Sequence, residues 1–423
     1  MNFTKGFFDF IKTSTDAYNA VNTVRERLLS EGFIELFEDK PFALVDGVKY
    51  FVTRAGSSLI AFVYRDDAEA FVVSAAHSDF PSFKLKPSAT SSGVFKTIAT
   101  EKYGGAINYS WFDRPLSVSG RVITECDGGL KTNIVRLDTD LAVIPSVAIH
   151  LCRDVNNGFS PNANVDMKPL VADITADTDI LALVAEKCGT EKENIVAHDL
   201  YLYNRQEPAT FGLNGEFIIS PRFDDLAHVY TSLEGFLSAK DNTDTTVLAI
   251  FDNEECGSES RQGAASTFLY DTLRALAPTE EKYREMIARS FMVSADVAHS
   301  VHPAHPELSD RDECPRLNGG IVIKYNANQR YATDAESAAM FKLVCKRAGV
   351  PTQNFVMRPD MPCGSTLGHI SVNNLPIRTV DVGLPILSMH SAAETAGSAD
   401  LTHMVNAMTC VYSTPTSKIL VKY

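Results

Sequence analysis

The sequence predicts an α/β fold, a sheet layered between helices and interrupted by a β-rich insertion. Three observations carry this expectation. After Pro221, apolar runs of strand length alternate with helical patterns. Between about Ser88 and Ser220 the texture changes to short β-like pieces broken by Gly, Asn and Asp. Acids and histidines then recur at the ends of several predicted strands. At 423 residues the chain exceeds the ~100–200 of one ordinary domain, so two are expected: 1–88 with 221–423, and the insertion 89–220.

Each element has its own signal. Residues 15–31 place Tyr18, Val21, Val24, Leu28 and Leu29 at helical spacing, and Gly32 stands where a helix-ending glycine belongs. Residues 49–54 and 59–64 read as strands joined by Ala55-Gly56-Ser57-Ser58, and a third, 70–75, runs into His77-Ser78-Asp79. Within the insertion, 116–123, 132–137 and 216–219 read as strands and 179–187 as a helix. Helices are then expected at 225–239, 264–275, 334–348 and 399–413, with strands at 245–251, 290–295 and 376–382 between them.

Composition removes several function classes. The content is 45% hydrophobic and 22% charged, which suits a soluble chain with a large core. A net charge of -14 argues against a nucleic-acid surface, though it says little about small substrates because a cleft can carry the opposite sign. The eight cysteines are scattered without a CxxC pair, so reduced thiols are expected rather than disulfides or thiolate zinc sites. The first ten residues are too short and interrupted for a secretory signal, and no run reaches the ~20 apolar residues of a membrane span. A cytoplasmic protein is the expectation.

The chemistry lies at strand ends. In an open α/β sheet, ligands bind beyond the carboxyl ends of the strands. Strand 70–75 delivers His77 and Asp79; the stretch before helix 225–239 delivers Asp224 and Asp225; strand 245–251 delivers Asp252, Glu254 and Glu255; strand 290–295 delivers Asp296; and residues 379–383 lead to His390. A single strand-terminal Asp is ordinarily a cap, and a single His ordinarily belongs to the surface or a hydrogen-bonded core, as expected for His228, His369 and His403. Convergence from five segments argues for metal. Imidazole and carboxylate without cysteine suit zinc, manganese or cobalt. The set exceeds one tetrahedral ion and fits two that share a carboxylate. The doubled Glu254-Glu255 then divides labour, one carboxylate on metal and its neighbour free as a general base.

At these residues the chain resembles the aspartyl aminopeptidase family of dinuclear zinc exopeptidases, over nearly its whole length. The pieces include Ala76-His77-Ser78-Asp79, Phe223-Asp224-Asp225-Leu226, Phe251-Asp252-Asn253-Glu254-Glu255-Cys256-Gly257, Ser294-Ala295-Asp296-Val297-Ala298-His299, Asp360-Met361-Pro362-Cys363-Gly364-Ser365-Thr366 and Leu387-Ser388-Met389-His390. The resemblance implies a zinc-exopeptidase-like α/β/α sheet domain with an inserted β-rich dimerisation domain. It implies that Asp224 bridges two metals, with His77 and Asp296 completing one site and Glu255 and His390 the other. Glu254 becomes the general base and Asp79 the partner that orients His77.

The resemblance also implies peptide substrates with acidic N-termini, recognised by Lys324 with Tyr331 close by. His150, reaching over from the insertion of a neighbouring subunit, takes a catalytic or substrate-binding part. Homo-oligomers are implied too, dimers that build up to dodecamers. Some family members read Asp-Asn where Asp224-Asp225 stands, and many have His in place of Ser146; neither change removes an implied ligand. The cluster His299, His302 and His305 is read as structural or supporting rather than metal-binding. Two alternatives stay open: a broad-specificity aminopeptidase, deacylase or dipeptidase with the same metals, and an assembled shell or scaffold with little catalysis.

Overall fold

The computed structural model describes residues 3–177, 179–371 and 373–422. Two helices open the chain, α1 (Phe3–Thr13) and α2 (Ala17–Ser30). The α2 helix starts where Asp16 accepts the backbone N–H groups of Tyr18 and Asn19, and it buries Tyr18, Val21, Val24 and Leu28 as the spacing predicts. The α1 helix escapes sequence reasoning, yet it buries Phe7, Phe10 and Ile11.

Four strands follow, β1 (Ile34–Leu36), β2 (Lys49–Arg54), β3 (Ser58–Val63) and β4 (Phe71–His77). The next group is β5 (Ser82–Ser92), β6 (Phe95–Tyr103), β7 (Leu116–Cys126), β8 (Gly129–Arg136), β9 (Leu170–Asp173), helix α3 (Ile180–Cys188) and β10 (Ile195–Asn204). After β11 (Ala209–Phe211) and β12 (Phe217–Ser220) come α4 (Phe223–Leu237), β13 (Thr245–Phe251), α5 (Phe268–Leu276), α6 (Glu280–Arg289), β14 (Phe291–Ala295) and β15 (Ala298–His299). The chain ends with β16 (Ile321–Tyr325), α7 (Ala335–Ala348), β17 (Thr352–Val356), α8 (Leu367–Ser371), β18 (Arg378–Gly383), β19 (Pro385–Leu387), β20 (Glu394–Gly397) and α9 (Ser398–Tyr412).

A nine-stranded sheet runs β1-β2-β3-β13-β4-β14-β18-β16-β17. Its centre, β13-β4-β14-β18, is parallel. Alternation along each strand feeds two cores. Leu248 and Ile250 of β13 face α1, α2, α4, α7 and α9, whereas Val247, Ala249 and Phe251 face α5, α6 and α8. The sheet is therefore covered on both faces, the arrangement that parallel strands need.

Strands β5 to β10 form a separate antiparallel sheet in the order β8-β7-β10-β5-β6-β9, with α3 packed on it. This sheet begins at Ser82, a little before the expected edge of the insertion. At its other end, β12 pairs not with this sheet but with β20, Ser220 opposite Glu394. That ladder zips the segment before α4 to the segment after His390. Among the described residues no helix is long and apolar enough to cross a membrane.

Candidate metal centre

Because β4, β13 and β14 are parallel neighbours, their carboxyl ends open at one edge of the sheet. His77 is the last residue of β4, Asp296 follows β14, and β13 runs through Asp252 into the short turn Glu254–Cys256. Asp224 stands at the start of α4, where it and Asp225 have non-helical backbone angles, so regular helix begins after them. His390 comes from the turn between β19 and β20. Four non-glycine residues of these loops, Arg222, Asn253, Ser388 and His390, lie in the left-handed region with φ between 58° and 67°. Such conformations cost about 1–3 kcal/mol each and persist where the surrounding structure enforces them.

Three groups of side chains place a ligand atom apiece within 4.8 Å of one another: His77 with Asp224, Asp225 and Asp296; His77 with Glu254 and Glu255; and Asp224 with Glu255 and His390. Asp224 thus stands between the two histidines, Oδ1 at 3.4 Å from His77 Nε2 and Oδ2 at 3.4 Å from His390 Nε2. Glu255 Oε1 is 3.5 Å from His390 Nε2. These separations decide between two readings. A charge-assisted N–H···O bond closes to about 2.7–2.9 Å. Two ligand atoms each about 2.0–2.1 Å from a tetrahedral ion stand about 3.3–3.4 Å apart. The observed spacing fits ligands around a cation better than a closed hydrogen bond. Asp224 Oδ1 and Glu255 Oε1 are moreover buried with no hydrogen-bond partner among the described residues.

Electrostatics agree. Burial pushes the Glu254 carboxyl up to about 8, with Asp296, Asp79 and Asp224 adding to it against the relief from His77. Burial likewise raises Glu255, helped by Asp224. Burial would lower His77, but the charge of Asp225 and the adjoining carboxylates of Asp224 and Asp79 hold it well above its usual value. So much negative charge out of water needs protons or a cation to offset it.

Asp225 and Asp79 serve the neighbours rather than the opening. Asp225 Oδ2 accepts the His77 backbone N–H at 3.1 Å, and Oδ1 is 2.5 Å from His228 Nδ1. The Leu384 N–H donates to His228 Nε2 at 3.0 Å, which fixes the proton on Nδ1 and makes His228 the hydrogen-bonded core residue expected. Asp79 Oδ1 and Oδ2 accept the Glu254 and Glu255 N–H groups, each at 3.1 Å, and Oδ2 also accepts the Tyr103 hydroxyl at 2.7 Å. His77 Nδ1 finds the Asp79 backbone carbonyl at 3.0 Å and its carboxylate at 3.4 Å. Asp79 therefore braces the glutamate turn and His77 together.

Sequence reasoning misses three contributors. Glu394 is buried, and its carboxylate accepts the Asp224 N–H at 2.9 Å and the His390 N–H at 2.8 Å, tying together two of the clustered residues. Only its position four residues after His390 hints at this. Gly104 and Gly105, just past β6, press against the centre: a Cβ would stand 3.0 Å from Glu255 Cβ at the first and 3.1 Å from His390 Nδ1 at the second.

A cavity of about 270 Å³ opens on the cluster. His77, Asp224, Glu254, Asp296 and His390 line it together with His299, Lys324, Tyr331, Phe355 and residues 364–366. Lys324 is 3% exposed, with Nζ 3.4 Å from Asp296 Oδ2 and 5.6 Å from the Tyr331 ring centre. It is a buried cation at the cavity wall, not a surface lysine. His299 also reaches this wall, whereas His302 and His305 lie exposed outside it. His150 is exposed on a turn of the insertion and is not among the residues lining the cavity of its own chain.

Comparison with known proteins gives a consistent result. Residues 10–412 match the family model described as "Aminopeptidase I zinc metalloprotease (M18)". The chain is 40% identical over 417 residues to "Probable M18 family aminopeptidase 2" of Pseudomonas putida (strain GB-1), covering 96% of this chain and 97% of the relative. It is 39% identical over 415 residues to the protein of that name from Clostridium acetobutylicum, covering 95% and 96%. Among solved structures, the Ape4 and Nbr1 complex superposes with a TM-score of 0.95 at 34% identity, over 100% of this chain and 88% of that one. The S. cerevesiae mApe1 dodecamer superposes at 0.85 with 26% identity, over 96% and 95%.

Proposed function

This chain belongs to the M18 family of zinc aminopeptidases, and from that premise we propose that it removes acidic residues, Asp or Glu, from peptide N-termini at a two-metal centre. The observation that carries this reading is the pair of histidines flanking Asp224 at ligand spacing. Two divalent ions, zinc or else manganese or cobalt, would be held by Asp224 between them, by His77 and Asp296 on one side and by Glu255 and His390 on the other. Bound there, they supply Lewis acidity that polarises the scissile carbonyl and brings the pKa of water from ~15.7 towards ~7.

Glu254 is the general base. It lines the cavity, and its backbone is held by Asp79, so its carboxylate stays directed at the cluster. It takes a proton from the attacking water and returns it to the departing amine. A raised carboxyl pKa suits both halves of that exchange. Lys324 supplies the counter-charge for an acidic side chain, with Tyr331 beside it, since a buried carboxylate must be paired.

The insertion, taken as 89–220, is the dimerisation domain. Its loops expose Val147, Ile149, Leu151 and Val165, apolar side chains that a second copy would cover. His150 lies among them, placed to enter a neighbour's cavity in the dimer and in assemblies up to a dodecamer. The eight free cysteines suit a reducing cytoplasm. Aminoacyl p-nitroanilides with Asp, Glu, Lys and Leu, assayed with the metal content measured, test the proposal. Faster cleavage of Lys or Leu than of Asp and Glu would instead support the broad-specificity reading.

A further inference from the structure

Asp381 lies on β18 beneath the substrate cavity and is completely buried. No Lys, Arg or His among the described residues stands within ion-pair distance of it, an unfavourable setting for a carboxylate unless its oxygens are in use. They are. Oδ1 accepts the Thr366 hydroxyl at 2.6 Å and Oδ2 accepts the Ala332 N–H at 2.5 Å. The Asp381 N–H donates in turn to Thr333 Oγ1 at 2.8 Å. Gly368 packs so closely that a Cβ there would lie 2.5 Å from Oδ1.

The two segments gathered in this way both contribute to the cavity lining: Tyr331, next to Ala332, and Gly364, Ser365 and Thr366. The 364–366 segment runs into Leu367, which is anchored in a main core, but the Tyr331 segment is not so anchored. Tyr331 packs in a small separate cluster with Ala298, Val322 and Phe355, with Cys363 against it. Besides Asp381, this small apolar patch and the contact of the Tyr331 hydroxyl with Cys363 link the two segments. Asp381 also lies one position along from the Ile323–Val382 pair, on the strand beside Lys324.

We infer that Asp381 is the positioning residue of the substrate cavity. One carboxylate, touching neither substrate nor metal, joins the Tyr331 wall to the 364–366 wall and so sets the width of the slot over Lys324. The inference rests on reading this cavity as the substrate pocket. It explains why a charge is kept inside the sheet: a single acceptor of two donors from separate loops fixes both at once, which an apolar residue cannot do.

The test uses the full-length, metal-loaded protein and the substrate that the unmodified enzyme cleaves best. Asp381→Ala should lower kcat/KM by about 10–100-fold, through KM more than kcat, with metal content unchanged. Asp381→Asn should retain most activity, because its amide can donate to Thr366 while its oxygen accepts from Ala332. Thr366→Val, which removes one donor at nearly constant shape, should raise KM by about 2–10-fold and speed amide hydrogen exchange in residues 360–371. Should Asp381→Ala fail to fold, the Thr366 and Asn variants decide the matter. Unchanged KM and exchange in Thr366→Val, or an Asn variant as impaired as Ala, would overturn the inference. An inactive parent enzyme would overturn the aminopeptidase reading instead, while the exchange measurement would still judge the bracing role.

Discussion

Replacing Lys324 by methionine tests substrate recognition most directly, because the side chain is buried and its charge is removed at nearly constant volume. Two effects must be separated. An acidic substrate loses its counter-charge: a carboxylate about 2.8 Å from an ammonium at an effective dielectric near 20 gains roughly 6 kcal/mol before desolvation. Removing one member of a buried, hydrogen-bonded charge pair costs about 2–5 kcal/mol net. That corresponds to about 30- to 5,000-fold in kcat/KM for Asp or Glu substrates. The second effect is independent of substrate. Lys324 Nζ is 3.4 Å from Asp296 Oδ2, so its loss also disturbs a proposed metal ligand. A neutral substrate reports only this second effect. The assay is therefore kcat/KM for Asp and Leu p-nitroanilides on parent and variant, each normalised to bound metal. The expected outcome is a fall for Asp at least ~30-fold greater than for Leu. Equal falls would show that Lys324 serves Asp296 alone, and the acidic-substrate proposal would lose its cation.

Further outcomes follow from the same geometry. Glu254→Gln should reduce kcat by about 10²–10⁴-fold while bound metal, measured by elemental analysis, stays at the parent level. Asp79→Asn turns an acceptor of three donors into a group that can accept on one side only. It should weaken metal affinity by about 10–100-fold in a chelator competition. Burial lowers the His228 imidazole to about 3, below the ~6.5 of an unfolded chain, so its contribution to stability is complete above about pH 6.5 and fades as pH falls towards 3. Denaturant melts of parent and His228→Gln should therefore converge by roughly 1.4 kcal/mol for each unit of pH below 6.5; a constant gap between pH 7.5 and 5 would contradict a neutral buried imidazole.

What could be read from the chain, and what could not, divides along a physical line. His77, Glu255 and Asp296 were legible because parallel neighbours put all their carboxyl ends at one edge, so acids and histidines at strand ends approximate the site before any coordinates exist. The α4 start and the turn after β19 reach the same edge through the β12–β20 ladder, which no local pattern announces. Glu394 and Asp381 were illegible for a related reason. Each is a buried carboxylate whose meaning lies in donors contributed by distant loops, and a lone acid in or beside a strand looks the same whether it braces a site or merely caps a turn. The α1 helix was missed although its aromatic side chains are spaced to pack on α4, Phe7 lying 5.0 Å from Phe223. The change of texture near Ser88 is the subtlest case. It marks a new sheet, and taken alone it suggests an appended module. Yet Tyr103 holds Asp79, and Gly104 and Gly105 lie against Glu255 and His390. The second sheet therefore helps to wall the histidine–carboxylate cluster within a single chain. A trimmed chain lacking β5 and β6 would lose the hydroxyl that steadies Asp79 and the glycines that enclose His390, so it should bind metal poorly even if the nine-stranded sheet still formed.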